Sequence, residues 1–175
     1  MFKRFDICII LFLLLNASYW LIFSAINSCV SPYVYFLLPA IFVVPCAMFL
    51  GTVSMAIVVV ISAFMFALPS QSSSFIVCVA WCAIGFLVNT WRFKFRTLDW
   101  FSCIMLMQIV NTALLVFYAI VLPNNSASFF DFVRRFSFDF AVSGLSLCLC
   151  GNFCVALPVS IMSFFGVDIT TSEDI

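Results

Sequence analysis

The sequence contains no histidine. Its absence removes the commonest general base near neutral pH and the commonest metal ligand. Charge is nearly as scarce, with seven basic and seven acidic residues in 175 and a formal net charge of zero. No basic field is available to attract nucleic acid, so no nucleic-acid partner is expected. The nine cysteines include no Cys-x-x-Cys pair. Cys148, Cys150 and Cys154 crowd one segment, but Cys148 and Cys150 point to different sides of a helix and cannot converge on one ion. Free thiols packed as small hydrophobes are the expectation. No serine–base pair, paired aspartates or metal triad is assembled, and intramembrane proteolysis or lipid processing needs one of these. Neither an enzyme nor a cofactor is expected.

What the chain has instead is hydrocarbon. Apolar residues make up 66% of it. The charges gather at Lys3, Arg4 and Asp6, at 92–99, at 131–139 and at the acidic C-terminal tip. Between them run stretches long enough for a bilayer, which needs about 20 residues per helix. A soluble fold of this size exposes too much surface to hide them. The expected fold class is all-α, a polytopic transmembrane helix bundle of about six spans, forming a single integral membrane domain over 1–175.

The spans fall at 7–26, 33–50, 53–68, 75–91, 100–122 and 138–165. Pro32, Gly51, Pro69-Ser70-Gln71-Ser72, the 92–98 segment and Pro123-Asn124-Asn125-Ser126 punctuate them. The first is too long for a signal-peptide core, and Asn27-Ser28-Cys29 is a poor cleavage site, so it reads as retained. Only Gly51-Thr52 separates the second and third spans, which suits a tight hairpin or one broken helix that dips in and returns. Pro39 and Pro45 suggest a kink in the second. With the N-terminus inside, Lys3, Arg4, Arg92, Lys94 and Arg96 are cytoplasmic and only Arg134 and Arg135 lie outside. Basic residues favour the cytoplasmic side, so both termini are expected there. Trp91, Trp100, Tyr118 and Tyr33 sit near span ends, where such rings favour the headgroup region.

Small residues recur at steps of three and four in two spans. One series is Ser137, Ala141, Gly144, Cys148, Gly151 and Val155; the other is Ser74, Cys78, Cys82, Gly85 and Asn89. Such seams let helix backbones approach, either inside the bundle or against a partner, and internal packing is the favoured use. Gln108 and Asn111 share a face of the fifth span, while Asn16 and Asn152 lie mid-span in the first and last. Interhelical hydrogen bonding is the favoured role for these amides over a ligand or ion pocket. Asp131, Arg135 and Asp139 make an i, i+4, i+8 ladder among phenylalanines, which suits a helix in the outer interface. Asp139 is the deepest acid, with Arg135 its natural partner. Asn124-Asn125-Ser126 also matches a glycosylation sequon, relevant only in a eukaryotic secretory route.

From about Tyr33 to Phe165 the layout resembles the rod shape-determining membrane protein family MreD. The proline-bearing second span turns at Gly51-Thr52 into a third. Then come Ala83-Ile84-Gly85-Phe86-Leu87-Val88, the basic Arg92-Phe93-Lys94-Phe95-Arg96, a long fifth span, an outer loop and a last helix with Pro158 late in its course. Where family members often carry an aspartate in the third span, Ala56-Ile57-Val58-Val59-Val60-Ile61 is apolar. The resemblance implies a non-enzymatic bacterial inner-membrane scaffold that binds MreC and other wall-elongation proteins, with a homo-oligomer left open. The rival class is the substrate-binding subunit of an energy-coupling-factor vitamin transporter, which shares the length and the six-helix architecture. Against that rival, the first span lacks a small-residue seam and the outer loops are short.

Overall fold

The computed structural model describes residues 4–30, 38–67, 74–91, 100–121 and 129–165. The described residues form six helices and no strand. These are α1 (Arg4–Val30), α2 (Ala40–Phe49), α3 (Thr52–Ala67), α4 (Ser74–Trp91), α5 (Trp100–Val121) and α6 (Phe129–Phe164). The punctuation at 32, 69–72, 92–98 and 123–126 lies outside the described residues. Long helices suit sequences this apolar, because a helix satisfies its own backbone polar groups where water cannot.

Three helices among the described residues are long and apolar enough to cross a membrane, over Ile7–Cys29, Phe101–Tyr118 and Phe136–Phe164. Ala40–Phe49, Thr52–Phe66 and Phe75–Trp91 are apolar but shorter. The expectation of six full-length spans is therefore met in helix number and, by length, in three of the six. Polarity is arranged outward-apolar. Leu14, Phe75, Phe101, Ile120, Leu149 and Phe164 are exposed, whereas Asn16, Ser54, Ser62, Asn89, Asn111 and Ser143 are buried. Hydrocarbon on the surface and amides inside is the arrangement that lipid favours.

The largest departure from the sequence reading is α2. Its ten residues rise about 15 Å, half of a bilayer's hydrocarbon core. Pro39 does not kink this helix but caps it, at φ −62° and ψ −25°. A proline costs least there, where no intrahelical N–H is needed. Pro45 does lie inside the helix. Every residue from 40 to 47 is buried, because α3, α4, α5 and α6 all pack against α2. A helix that is apolar all round belongs in such a place. Leu50 is extended, at φ −97° and ψ 151°, and Gly51 leads directly into α3. Since α2 and α3 pack on each other, the Leu50-Gly51 connection makes a tight hairpin.

Side-chain register gives the relative directions. Gly85 of α4 lies against Val43, and Asn89 bonds to Ala47, so α2 and α4 run parallel. Gly85 also meets Met55, while Cys78 meets Val60, so α3 and α4 run antiparallel. Gly144 meets Gln108 and Gly151 meets Ile104, which makes α5 and α6 antiparallel.

Candidate functional site: spent and unspent polar groups in the bundle

A short helix inside an apolar bundle leaves terminal carbonyls without water to bond. The Asn89 side chain supplies the missing donors at the C-terminal end of α2. Its Nδ2 donates to Ala47 O at 2.8 Å and to Leu50 O at 3.1 Å. Its Oδ1 accepts from Thr52 Oγ1 at 3.2 Å, tying in the first residue of α3. Asn89 was expected only as the last member of a small-residue seam. Its actual work is to close the α2–α3 turn, and no local pattern reports that, because the bonded carbonyls lie about forty residues away in sequence.

Asn16 is used in the same way from α1. Only 3% exposed, it donates to Ser62 Oγ at 2.7 Å, to Phe42 O at 3.5 Å and to Cys46 Sγ at 3.6 Å. One amide thus joins α1, α2 and α3. Interhelical hydrogen bonds of this kind contribute about 0.6 kcal/mol each in lipid. Nearby, Trp81 Nε1 donates to Tyr118 Oη at 2.7 Å. The Phe42, Phe66 and Trp81 rings gather with centroids 5.3–6.1 Å apart. Tyr118 is buried in this cluster and is not a headgroup anchor. Its hydroxyl found a donor inside the bundle, which removes the need for an interfacial position. Trp91 is exposed; Tyr33 and the Trp100 side chain lie outside the described residues.

The α5–α6 contact is built differently. A Cβ on Gly144 would lie 2.6 Å from Gln108 Nε2, and one on Gly151 would lie 3.3 Å from Met107 Sδ. Both glycines therefore admit a side chain from α5. Gly85 admits Met55 in the same way, at 2.9 Å from Sδ. On these two helices, however, some buried polar atoms lack protein partners. Gln108 Oε1, Asn111 Oδ1 and Ser143 Oγ are buried and make no hydrogen bond. Asn111 is 1% exposed and Ser143 fully buried. Ser18, Ser62, Thr112 and Ser146 each bond back to the carbonyl four residues earlier; Ser143 does not. Ser143 was missed in the sequence, where one serine in an apolar run carries no signal without its neighbours across the interface. Tyr19 Oη is also buried, and it neighbours Cys154 and Cys46. Cys154 is about 16 Å along α6 from Ser143, so Tyr19 is a separate feature.

The expected seam on α6 divides. Gly144, Gly151 and Val155 are buried, whereas Ser137, Ala141 and Cys148 are exposed. The buried stripe is Ser143, Leu147, Gly151, Cys154, Pro158 and Met162. Beside it runs an outward stripe of Ala141, Leu145, Cys148, Asn152, Ala156 and Ser163. Asn152 is exposed within the apolar Phe136–Phe164 span, and its side-chain amide makes no hydrogen bond among the described residues. It is not the internal cross-link expected of a mid-span amide.

The remaining site residues sit at the start of α6. Asp139 is half-buried and has an interaction partner. The side chains of Asp131 and Arg135 lie outside the described residues, and with them the expected ladder. All nine cysteines are free thiols, and Cys8, Cys46, Cys78, Cys103 and Cys154 are buried. Among the described residues, no group of three Cys, Asp or Glu is placed to hold a metal ion. Comparison with protein-family models, curated proteins and solved structures finds no match.

Proposed function

We propose that this chain is a non-enzymatic, MreD-like scaffold of a bacterial inner membrane. In this reading all six helices lie in the bilayer, with both termini cytoplasmic, and the protein acts by holding MreC and other wall-elongation proteins in place. The alternation of direction between α2 and α3, α3 and α4, and α5 and α6 supports the six-pass arrangement. The shorter helices are accommodated because a bilayer can thin locally or let flanking residues reach its interface.

One observation carries the scaffold role: in the middle of the last span the Asn152 amide is exposed and makes no hydrogen bond among the described residues. An amide facing lipid loses its hydrogen bonds, and polar groups in spans usually face protein or a water-filled path. Small residues one turn to either side, Cys148 and Ala156, are also exposed. They allow a second helix to come close enough to bond with the amide. A transmembrane helix of a partner is the complement to such a stripe.

Topology is tested by reporter fusions at Ser126 and Asp174, which should fall on opposite sides of the membrane. Function is tested in the native bacterium. Depletion should turn rods into spheres, and gentle purification should co-isolate MreC from the parent but not from an Asn152→Leu variant. Co-purification with a pair of ATPases and a tightly bound vitamin would overturn the scaffold reading in favour of a transporter subunit.

A further inference from the structure

The three unbonded oxygens between α5 and α6 call for an occupant. Leaving a buried polar group unpaired costs about 1–3 kcal/mol, and here Gln108 Oε1, Asn111 Oδ1 and Ser143 Oγ are three such atoms on α5 and α6. Gln108 and Asn111 are one turn apart on α5 and so lie on one face. Gln108 rests on Gly144, the residue after Ser143. Asn111 is the twelfth of the 22 residues of α5, placing the group midway along that helix.

We propose that Gln108, Asn111 and Ser143 form a binding site for a single water molecule that bridges α5 and α6. Water matches the set atom by atom. Its two protons go to the carbonyl oxygens Gln108 Oε1 and Asn111 Oδ1, and its oxygen accepts from Ser143 Oγ–H. Buried waters typically make about three such bonds to groups that are otherwise unpaired. A metal cation fits poorly, because three neutral oxygens fall short of the six or more that hard cations take, and none offsets the cost of burying its charge. The Ser143 hydroxyl is available because it makes no bond to its own helix. Gly144 leaves the room that lets Gln108 reach over α6.

The test uses the full chain in lipid bilayers, with 15N in its side-chain amides, and measures transfer of magnetisation from water protons to each amide by solid-state NMR. Asn16 is the internal standard, since it is equally buried but bonded to protein groups. Transfer to the Asn111 amide should build up several-fold faster than to Asn16, and Ser143→Ala should slow it at least twofold. The triple variant Gln108→Leu, Asn111→Leu, Ser143→Ala should stay folded, because it removes every group that needs the water. Equal build-up at Asn111 and Asn16 would overturn the proposal, as would a stoichiometric organic molecule released from the site on denaturation. Either failure leaves the scaffold reading untouched, since that reading rests on Asn152 on the outer side of α6.

Discussion

The α1–α4 side of the bundle and the α5–α6 pair handle the same problem in opposite ways. Both carry amides in apolar surroundings. On the first side the Asn16 and Asn89 amides are bonded, and their bonds tie the short, buried α2 to α1 and α4. On the second, Gln108 and Asn111 keep unpaired oxygens and Asn152 faces outward. The difference separates two roles that look alike in sequence. An amide bonded to backbone is part of the fold, because removing it strands the groups it satisfied. An amide without a protein partner contributes little to the fold and is available for binding. The bonded amides thus lie in α1 and α4, and the unbonded amide oxygens in α5.

The sharpest way to break this contrast is at Asn89. Replacing it with leucine removes the donor that reaches the Ala47 and Leu50 carbonyls beneath α4. The expected loss is about 3 kcal/mol of folding stability, from two hydrogen bonds to buried carbonyls. Reversible unfolding in bilayers or mixed micelles measures it. A loss below about 0.5 kcal/mol would show that water reaches the α2 terminus and that the first half is not dry. A smaller effect is expected at Tyr118. Phenylalanine there keeps the ring but removes the acceptor for Trp81 Nε1, and an unpaired buried indole N–H should cost about 1.5 kcal/mol. The tryptophan emission should shift as its hydrogen bond is lost.

How far the sequence announces this division depends on whether the cause is local. The limits of α1, α4 and α5 follow from runs of apolar residues and fall close to the expected 7–26, 75–91 and 100–122. The length of α2 does not follow, since hydropathy registers an apolar run over 33–50 without showing that four other helices surround its second half. Pro39 could be read as a kink or as a cap, and only the packing around Ala40 decides between them. The glycines on α6 were visible as a seam. Its rotation was not, because six small residues spread across the border between the buried and outward stripes. Ser143 and the outward turn of Asn152 needed the α5–α6 register, which comes from tertiary packing.

Asn152→Leu sharpens the contrast from the other side. Because this amide makes no hydrogen bond among the described residues, unfolding stability should change by less than about 0.5 kcal/mol, the usual range for a surface substitution. Association with the partner should nevertheless weaken about tenfold, which corresponds to about 1.4 kcal/mol and lies within the range measured for interhelical hydrogen bonds in membranes. Co-isolation across a dilution series in detergent separates the two quantities. A substitution that weakened folding as well would place Asn152 inside the bundle's own packing.

The smallest effect is expected at Gly151, and its size tests whether α5 and α6 are loosely or tightly joined. A Cβ there would meet Met107 Sδ at 3.3 Å, tighter than an ordinary contact but against the flexible part of a methionine, which adjusts easily. Alanine also gains about 1 kcal/mol over glycine in helix propensity, which offsets the cost of moving the thioether. Gly151→Ala should therefore leave stability within about 0.5 kcal/mol of the parent. Gly144→Ala gains the same propensity but displaces the Gln108 amide, whose Nε2 lies 2.6 Å from the new methyl. It should therefore be the less stable of the two alanine variants. If both are equally stable, Gln108 is free to swing away, and the α5–α6 contact is looser than its glycines suggest. If Gly151→Ala alone is strongly destabilising, Met107 is locked in place, and the last two helices are packed as rigidly as the α2–α4 core.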